Sequence, residues 1–595
     1  MNIEYRLKSA LSLIREACTP LGITASLNND ENYGAVFCRD AVMAGIVGLC
    51  SQDEKIIQGL TISLSNFRDL QGKQGQIASN YSIKNGAIGK VSFGTLSPKI
   101  DSCTWYLIGV ALLIKEGKAT KKEFKHSVKK TVDLLQGLEY NGKHLVYIPK
   151  GGNWADEYIY EGYVLYDQAL RAWALALLAP IFEKPKWALK ADDILNRIHK
   201  DYKKKPDKYY KASVYPGGEF NKFDLAAHAI LAIISKPDNG EVTQAFNWLA
   251  EVFLDENRLP QVFFPVIQPK DSEWDNLSRF YLYRFKNMPN HFHNGGIWWI
   301  WLGWLSVSFS IRKDTKHLNQ LLSISEEILS GISNFDFEEY LSADELTPSG
   351  TKKLCFTAAG ISMLCLSERG FNFSLLKPSP MSLIKEPLLL KRKYFDVSSA
   401  IMKQMKTKRD LKKNKLIVAV CGESGSGKSI TALCLQKEFE ELGMKAVILH
   451  QDSYFHLPPK TNHEKRLADI SWVGPNEVNL ERMQKHIKDF KAGKNQLKVP
   501  VVNYEKNKFS EVITDITHSS VLIVEGVYTF LLKELDFKIY MSRSYKDSLE
   551  RRKERSREAY SPFVEEVLAI EQAVILPYVE NADVIVRKDY SVIDT

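Results

Sequence analysis

The apolar run Leu416-Ile-Val-Ala-Val-Cys421 passes directly into Gly422-Glu423-Ser424-Gly425-Ser426-Gly427-Lys428-Ser429, and a helix-forming stretch from Thr431 to Leu442 follows at once. Few folds accommodate that order. A buried strand that breaks into glycines and re-enters as a helix belongs at the carboxyl edge of a parallel sheet. The glycines let successive backbone N–H groups curl around phosphate oxygens, and Lys428 can reach the outer phosphates. The Ser429 hydroxyl suits Mg²⁺, and the helix N-terminus adds a favourable dipole. The segment Gly422 to Ser429 therefore implies binding of a nucleoside triphosphate, with ATP and Mg²⁺ as the expected cofactors.

At 595 residues the chain exceeds one ordinary core, and 45% hydrophobic with 25% charged residues is the balance of globular domains. At least two domains are expected. The eight cysteines form no C-x-x-C pair and no Cys/His spacing, which speaks against zinc and against a disulfide framework. The first residues lack the apolar core of a signal peptide, so a cytoplasmic location is expected. The apolar stretch Ile297 to Leu305 is closed by serines and Arg312 and is expected as a buried helix, with no membrane partner. The net charge of +9 is dispersed except in Lys403 to Lys415, which is expected as a solvated linker segment; nucleic acid ranks last among the partners.

Two rhythms divide the chain. From Tyr5 to about Cys365 amphipathic stretches follow one another, among them Ala41–Leu49, Trp105–Lys115, Ala169–Leu178, Phe223–Ile234 and Thr243–Phe253, which predicts an all-α domain of helical hairpins in series. Beyond Lys415 short β runs take over, Leu416–Cys421, Ala446–His450, Val521–Val524, Lys538–Met541 and Val584–Val586, with helical segments between them. That alternation predicts an α/β domain with a parallel sheet. The expected boundaries are 1–370, a linker over 371–412, and 413–595.

Two acids in the second half fit phosphoryl transfer. Asp452 stands just past the second β run and is the candidate general base for an attacking hydroxyl. Glu525 ends the apolar strand Val521–Val524, where a residue holding Mg²⁺ or water belongs; Ser429 and Glu525 are thus the expected metal contacts. The segment Tyr545 to Tyr560 carries Arg551, Arg552 and Arg555, cations that a closing lid could lay over phosphates.

Together with Asn503-Tyr504-Glu505 and Asn581-Ala-Asp583, these stretches resemble the uridine kinase and phosphoribulokinase family of P-loop kinases from about Lys413 to the C-terminus. The resemblance implies Asp452 as base, Lys428 acting on the transferring phosphate, the lid arginines as phosphate contacts and Tyr504 beside the acceptor. The family's His-Pro-x-Ala-x-Asp element is replaced by Gly474-Pro-Asn-Glu-Val-Asn479, and Arg555 is followed by Ser556 in place of an acid. Uridine is therefore not the expected acceptor; a sugar or small polyol is.

In the first half the informative residues are aromatic and acidic: Arg39-Asp40, Asp101 with Trp105, Trp154-Ala-Asp156-Glu157, Glu273-Trp-Asp275 and His293-Asn-Gly-Gly296. Aromatic faces stack on sugar rings, and two carboxyl groups can cleave a glycosidic bond as acid and base. In order along the chain these pieces resemble the six-hairpin (α/α) toroids of neutral/alkaline invertases and glycogen-debranching glucosidases, over about Met1 to Leu366. That resemblance implies Asp156 as the general acid and Glu273 as the carboxylate activating water, with Glu157 or Asp275 as alternatives. It implies Arg39, Asp40, Asp101, Trp105, Trp154, Glu157 and His293 as contacts to sugar.

The expected whole is multidomain: an all-α six-hairpin toroid followed by an α/β P-loop kinase. One reading has the first half cleave a small glucoside or disaccharide and the second phosphorylate a released sugar. In the other the toroid only senses sugar or scaffolds the kinase.

Overall fold

The computed structural model describes residues 3–28, 32–139, 142–204, 206–378, 392–411, 415–503, 506–543 and 562–594. The chain divides into two compact units, Met1–Glu386 and Pro387–Thr595.

The first unit is built from thirteen described α-helices: α1 (Ile3–Ala17), α2 (Cys38–Ser51), α3 (Glu54–Asp69), α4 (Asp101–Lys115), α5 (Lys121–Gly137), α6 (Leu165–Phe182), α7 (Pro185–Asp201), α8 (Leu225–Ile234), α9 (Gly240–Leu249), the single turn α10 (Trp274–Ser278), α11 (Trp299–Arg312), α12 (Thr315–Gly331) and α13 (Cys355–Glu368). Helices α2, α4, α6, α8, α11 and α13 each pack on the next, and α13 returns to α2, so six helices close a ring. Their alternates α3, α5, α7, α9, α12 and α1 lie outside. This is the six-hairpin toroid.

Sequence dictates which helix goes where. An inner helix touches neighbours on both sides and at its back, so it must be apolar all round; nearly every residue of α4, α6, α11 and α13 is buried. The outer helices α5 and α7 bury only a stripe. Closure also needs close backbone approach: a β-carbon on Gly360 of α13 would lie 2.2 Å from the Trp299 carbonyl oxygen, and one on Gly303 of α11 would lie 2.6 Å from the Gly360 carbonyl oxygen. Of the stretch expected as a buried helix, Trp299–Leu305 opens α11, while Ile297 and Trp298 are extended just before it. Among the described residues no helix is long and apolar enough to cross a membrane.

Inner helices start from short extended pieces, such as Val36–Phe37 before α2, Tyr163–Val164 before α6 and Phe223–Asp224 before α8. Four of the six inner helices carry an acid at the start: Asp40 in α2, Asp101 in α4, Asp167 in α6 and Asp224 as N-cap of α8. At α8 the carboxyl accepts from a free N–H of the first turn, that of Ala227, at 2.9 Å.

The second unit holds a six-stranded sheet in the order β2-β5-β1-β6-β7-β8, from β1 (Leu416–Gly422), β2 (Lys445–His450), β5 (Ser519–Gly526), β6 (Phe537–Met541), β7 (Val584–Val586) and β8 (Val592–Asp594). All pairs are parallel except β7 with β8. Both faces of β1 are buried, which is why its sequence reads as an unbroken apolar run. β3 (Gln496–Asn503) and β4 (Lys508–Asp515) form a separate antiparallel hairpin that the sequence reading did not anticipate. The unit's described helices are α14 (Arg392–Lys408), α15 (Lys428–Glu441), α16 (Pro459–Ala468), α17 (Leu480–Lys491) and α18 (Pro562–Ile575).

The span 371–412, read as a linker, is structured at both ends. Phe373 and Leu376 are buried in the core of the toroid, while Val397, Ile401 and Met405 of α14 pack into the core beneath the sheet of the second unit. The basic residues Lys403, Lys406 and Lys408 are thus on the outer side of a helix with an apolar stripe. All eight cysteines are free thiols, seven of them buried and Cys18 half-buried.

Candidate active sites

In the second unit the strand register brings the expected residues to one edge. Glu525 pairs with Val420 on one side and with His450 on the other, so the glycine loop, Glu525 and the turn holding Asp452 leave the sheet at the same level. The loop enters α15 at Gly427, with φ +101° and no side-chain cap on the helix. The first N–H groups of α15 are thereby left available to an anion. Ser426 Oγ is buried with no hydrogen-bond partner among the described residues, a further unused polar atom in the cradle. The residues present fit a bound polyphosphate.

Lys428 Nζ donates to the Glu423 carbonyl oxygen at 2.8 Å, folding its ammonium over the loop. Ser429 Oγ donates to Glu525 Oε1 at 3.1 Å, and His450 Nδ1 lies 2.7 Å from the same oxygen. Burial would raise the Glu525 carboxyl, but the hydrogen bond and charge of His450, with Lys428 and Ser429, outweigh it and hold Glu525 below the usual carboxylate range. A carboxylate charged at neutral pH beside the Ser429 hydroxyl is the donor set a hard divalent cation takes. Asp452 sits exposed in the one-turn 3-10 helix Gln451–Tyr454. Tyr504, Arg551, Arg552 and Arg555 lie outside the described residues.

The element that departs from the uridine kinase pattern has its own architecture. Glu477 is fully buried and accepts two hydrogen bonds from Arg466, at 2.7 and 2.6 Å, and one from Asn462 at 3.0 Å. It is committed to a bidentate internal pair.

In the first unit a cavity of about 170 Å³ is lined by Arg39, Asp40, Lys99, Trp154, Asp156, Glu157, Lys286, His293, Trp298 and Glu339, among others. Six of the expected residues therefore share one cavity: Arg39, Asp40, Trp154, Asp156, Glu157 and His293. Three do not. Asp101 is fully buried and works from behind, accepting from Arg39 Nη1 at 2.8 Å and so fixing the guanidinium. Trp105 is also fully buried, its Nε1 donating to the Tyr166 hydroxyl at 2.8 Å; it packs against Trp173 and Trp304 in the ring's core instead of offering a face to sugar. Glu273 is half-buried at the start of α10, and its charge acts on Tyr158 and Lys222, neither of which lines the cavity. Asp275 is exposed and ion-paired with Arg279.

The carboxylate that does join Asp156 is Glu339, which the sequence reading missed. It is buried, and one oxygen accepts from the Tyr33 hydroxyl at 2.8 Å. Burial raises it above its ordinary value despite the nearby Lys286 ammonium. Burial, eased by Lys286 but reinforced by Asp156 and Glu339, pushes Glu157 up to about 7. Asp156 goes the other way: burial would raise it, yet the Lys99 ammonium, aided by Arg39, keeps it below the carboxylate range. One cavity thus holds carboxyl groups driven apart in acidity, the condition for acid and base to coexist.

Burial keeps His293 neutral, with its pKa pushed down to about 3. Its ring lies between Trp154, edge-on at 5.2 Å, and Trp298, stacked at 5.5 Å. Around the cavity Arg39 Nε, Asp40 Oδ2, Trp154 Nε1, Glu157 Oε2 and His293 Nδ1 are buried without a hydrogen-bond partner among the described residues. Buried polar atoms are rarely left so in one place.

Compared with known proteins, residues 417–588 match the Phosphoribulokinase / Uridine kinase family. A bifunctional alpha-galactosidase/sucrose kinase of Mediterraneibacter gnavus is 30% identical over 193 residues, 30% of this chain and 21% of that protein. A uridine kinase of Histophilus somni is 28% identical over 129 residues, 21% of this chain and 60% of that enzyme. The chain thus spans between about a fifth and three fifths of these relatives' length. The crystal structure of a GH63 mannosylglycerate hydrolase from Thermus thermophilus with glucose aligns at TM-score 0.44 and 12% identity, covering 60% of this chain and 98% of that one. The segment 417–588 therefore resembles the phosphoribulokinase and uridine kinase family, and it follows a unit that closes as a ring of six helical hairpins.

Proposed function

We propose that this chain is a bifunctional carbohydrate enzyme: the toroid hydrolyses a glycoside and the P-loop unit transfers the terminal phosphate of ATP to a sugar hydroxyl. The observation that carries the first activity is the cavity, ringed by Asp156, Glu157 and Glu339, whose buried polar atoms include Trp154 Nε1, Glu157 Oε2 and His293 Nδ1 without a hydrogen-bond partner among the described residues. A ligand bearing many hydroxyls on a compact ring satisfies such atoms while Trp154 and Trp298 border it.

Cleavage takes a pair of carboxyl groups. Asp156 gives a proton to the leaving oxygen as the glycosidic C–O bond breaks, and Glu339 takes a proton from the water that forms the new bond to the sugar. Glu339 replaces Glu273 in that role, since it lines the cavity with Asp156 and Glu273 does not. Asp156 donates once the sugar has displaced the Lys99 ammonium that faces it at 3.3 Å. Arg39, Asp40, Glu157 and His293 hold hydroxyls; Asp101 steadies Arg39.

In the second unit Asp452 accepts the proton of the attacking hydroxyl and Lys428 with the loop N–H groups Gly422–Ser429 holds the transferring phosphate, while Ser429 and Glu525 would hold Mg²⁺, which would neutralise phosphate charge. Arg551, Arg552 and Arg555 close over the phosphates, and Tyr504 contacts the acceptor. A sugar acceptor is preferred to uridine because Gly474-Pro-Asn-Glu-Val-Asn479 replaces the uridine kinases' His-Pro-x-Ala-x-Asp element, with Asn479 where they have an acid. A relative named for sucrose kinase matches this chain over 193 residues, so sucrose and its constituent hexoses head the acceptor series.

The test incubates the full chain with disaccharides and small glucosides, with and without Mg·ATP, and follows free sugar, sugar phosphate and ADP by chromatography. Both products are expected. ADP formation without any cleaved glycoside would instead favour a toroid that only senses sugar.

A further inference from the structure

The direction in which ATP must lie across the loop follows from the sheet, given the kinase reading above. The reacting phosphate has to face Asp452 and Glu525, which leave the edge formed by β2 and β5. β1 has its other neighbour in β6, and β6 in β7. The nucleoside end of ATP therefore comes off on the β6–β7 side. The register fixes what stands there: Gly422 pairs with Met541 and Met541 with Val586, so Arg543 and the turn holding Tyr590 leave the sheet level with the glycine loop.

These residues form one cluster with the helix that precedes the sheet. Tyr394 of α14 is buried against the loop: a β-carbon on Gly427 would stand 2.9 Å from its ring. Tyr394 and Tyr590 meet at right angles, ring centres 5.4 Å apart. The Lys393 ammonium lies 4.1 Å from the centre of the Tyr590 ring and the Arg543 guanidinium carbon 4.6 Å from it, with Arg543 Nη1 donating to the Tyr590 hydroxyl. Arg543 Nε is buried with no hydrogen-bond partner among the described residues. A guanidinium held over an aromatic ring and tied to its hydroxyl is a platform for a planar heterocycle, and its Nε–H, without a partner among the described residues, is a donor for a ring nitrogen or a ribose oxygen.

We propose that the adenosine end of ATP is held by the plane of Arg543, fixed by Tyr590, with Tyr394 bracing that platform against Gly427 of the phosphate loop. Tyr394 and Tyr590 both lie outside the segment 417–588 that matches the kinase family. Base recognition in this chain thus depends on its flanks, and the same ring of Tyr394 couples the base platform to the loop that grips the phosphates.

The experiment compares binding of Mg·ATP and of Mg·tripolyphosphate, which has the phosphates and no nucleoside, to the full chain by titration calorimetry. Arg543→Ala and Arg543→Lys are expected to weaken ATP roughly ten- to hundredfold, the range a lost base stack covers, while tripolyphosphate affinity stays within about twofold. Lys428→Met should weaken both ligands and serves as the phosphate control. Equal losses for both ligands on Arg543→Lys would make Arg543 a phosphate contact and overturn the proposal, as would unchanged ATP affinity on Arg543→Ala. If the wild-type chain binds neither ligand, the kinase reading itself falls.

Discussion

The ammonium of Lys99 stands 3.3 Å from a carboxylate oxygen of Asp156 and at the same time donates to the Gly151 carbonyl oxygen at 2.6 Å, so the loop that carries Asp156 also anchors its counter-charge. Removing the charge while keeping the stem, Lys99→Met, is expected to raise the Asp156 pKa. If Asp156 is the proton donor, the alkaline limb of the kcat/KM profile for cleavage moves to higher pH, because that ratio reports the free enzyme. An alkaline limb that stays in place would remove Asp156 from the donor role.

Glu339 and Glu273 make opposite predictions. Glu339→Gln, which keeps the hydrogen-bonding shape, is expected to lower the cleavage rate by roughly 10²- to 10⁴-fold, the scale of a lost general base. Glu273→Gln, outside the cavity, is expected to leave the rate within about twofold. Steady-state kinetics on one glycoside substrate checks both, with phosphoryl transfer as the internal control.

Why one acid was legible and its partner was not has a physical explanation. Asp156 lies in a loop with Trp154 and Glu157, a local signature of sugar chemistry that needs no tertiary contact to be seen. Glu339 gains its meaning only because the chain before α13 folds back onto Tyr33, some three hundred residues away, and that contact leaves no mark in local composition. Trp105 misled for the converse reason: an aromatic residue near an acid reads as a sugar platform, but one turn into an inner helix it points to the core. The sheet was plain because buried parallel strands are apolar throughout. The hairpin β3–β4 was hidden because much of it is solvent-facing, with Val501, Val512 and Ile513 exposed, so no clean alternation remains.

Glu157 supplies a stability test. Its folded pKa, about 7, lies above its ordinary carboxylate value, so between those two pH values the native state holds a proton that the unfolded state has released. Stability from this group is therefore undisturbed at low pH and falls as pH rises through about 7. Glu157→Gln should be more stable than the parent at pH 8 and equal to it at pH 4. Thermal unfolding at the two pH values reads this directly, and a gain at pH 4 alone would contradict it.

Ring closure can be tested at one atom. The β-carbon of Gly360→Ala would lie 2.2 Å from the Trp299 carbonyl oxygen, a backbone atom that cannot swing aside. The helices α11 and α13 must then separate, at an expected cost of about 1–3 kcal/mol. Urea unfolding monitored by tryptophan fluorescence should show the loss; Gly331→Ala, where the β-carbon meets nothing within 4 Å, should show none.

The account's central claim is that two independent chemistries share this chain, one in the toroid's carboxylate cavity and one at the glycine loop. The direct measurement is a crossed pair of assays on Asp156→Asn and Asp452→Asn, each scored for glycoside cleavage and for ATP-dependent sugar phosphorylation of an unlinked acceptor. Asp156→Asn is expected to abolish cleavage and keep phosphorylation, and Asp452→Asn to do the reverse. Cleavage that survives Asp156→Asn, or phosphorylation that survives Asp452→Asn, would contradict it.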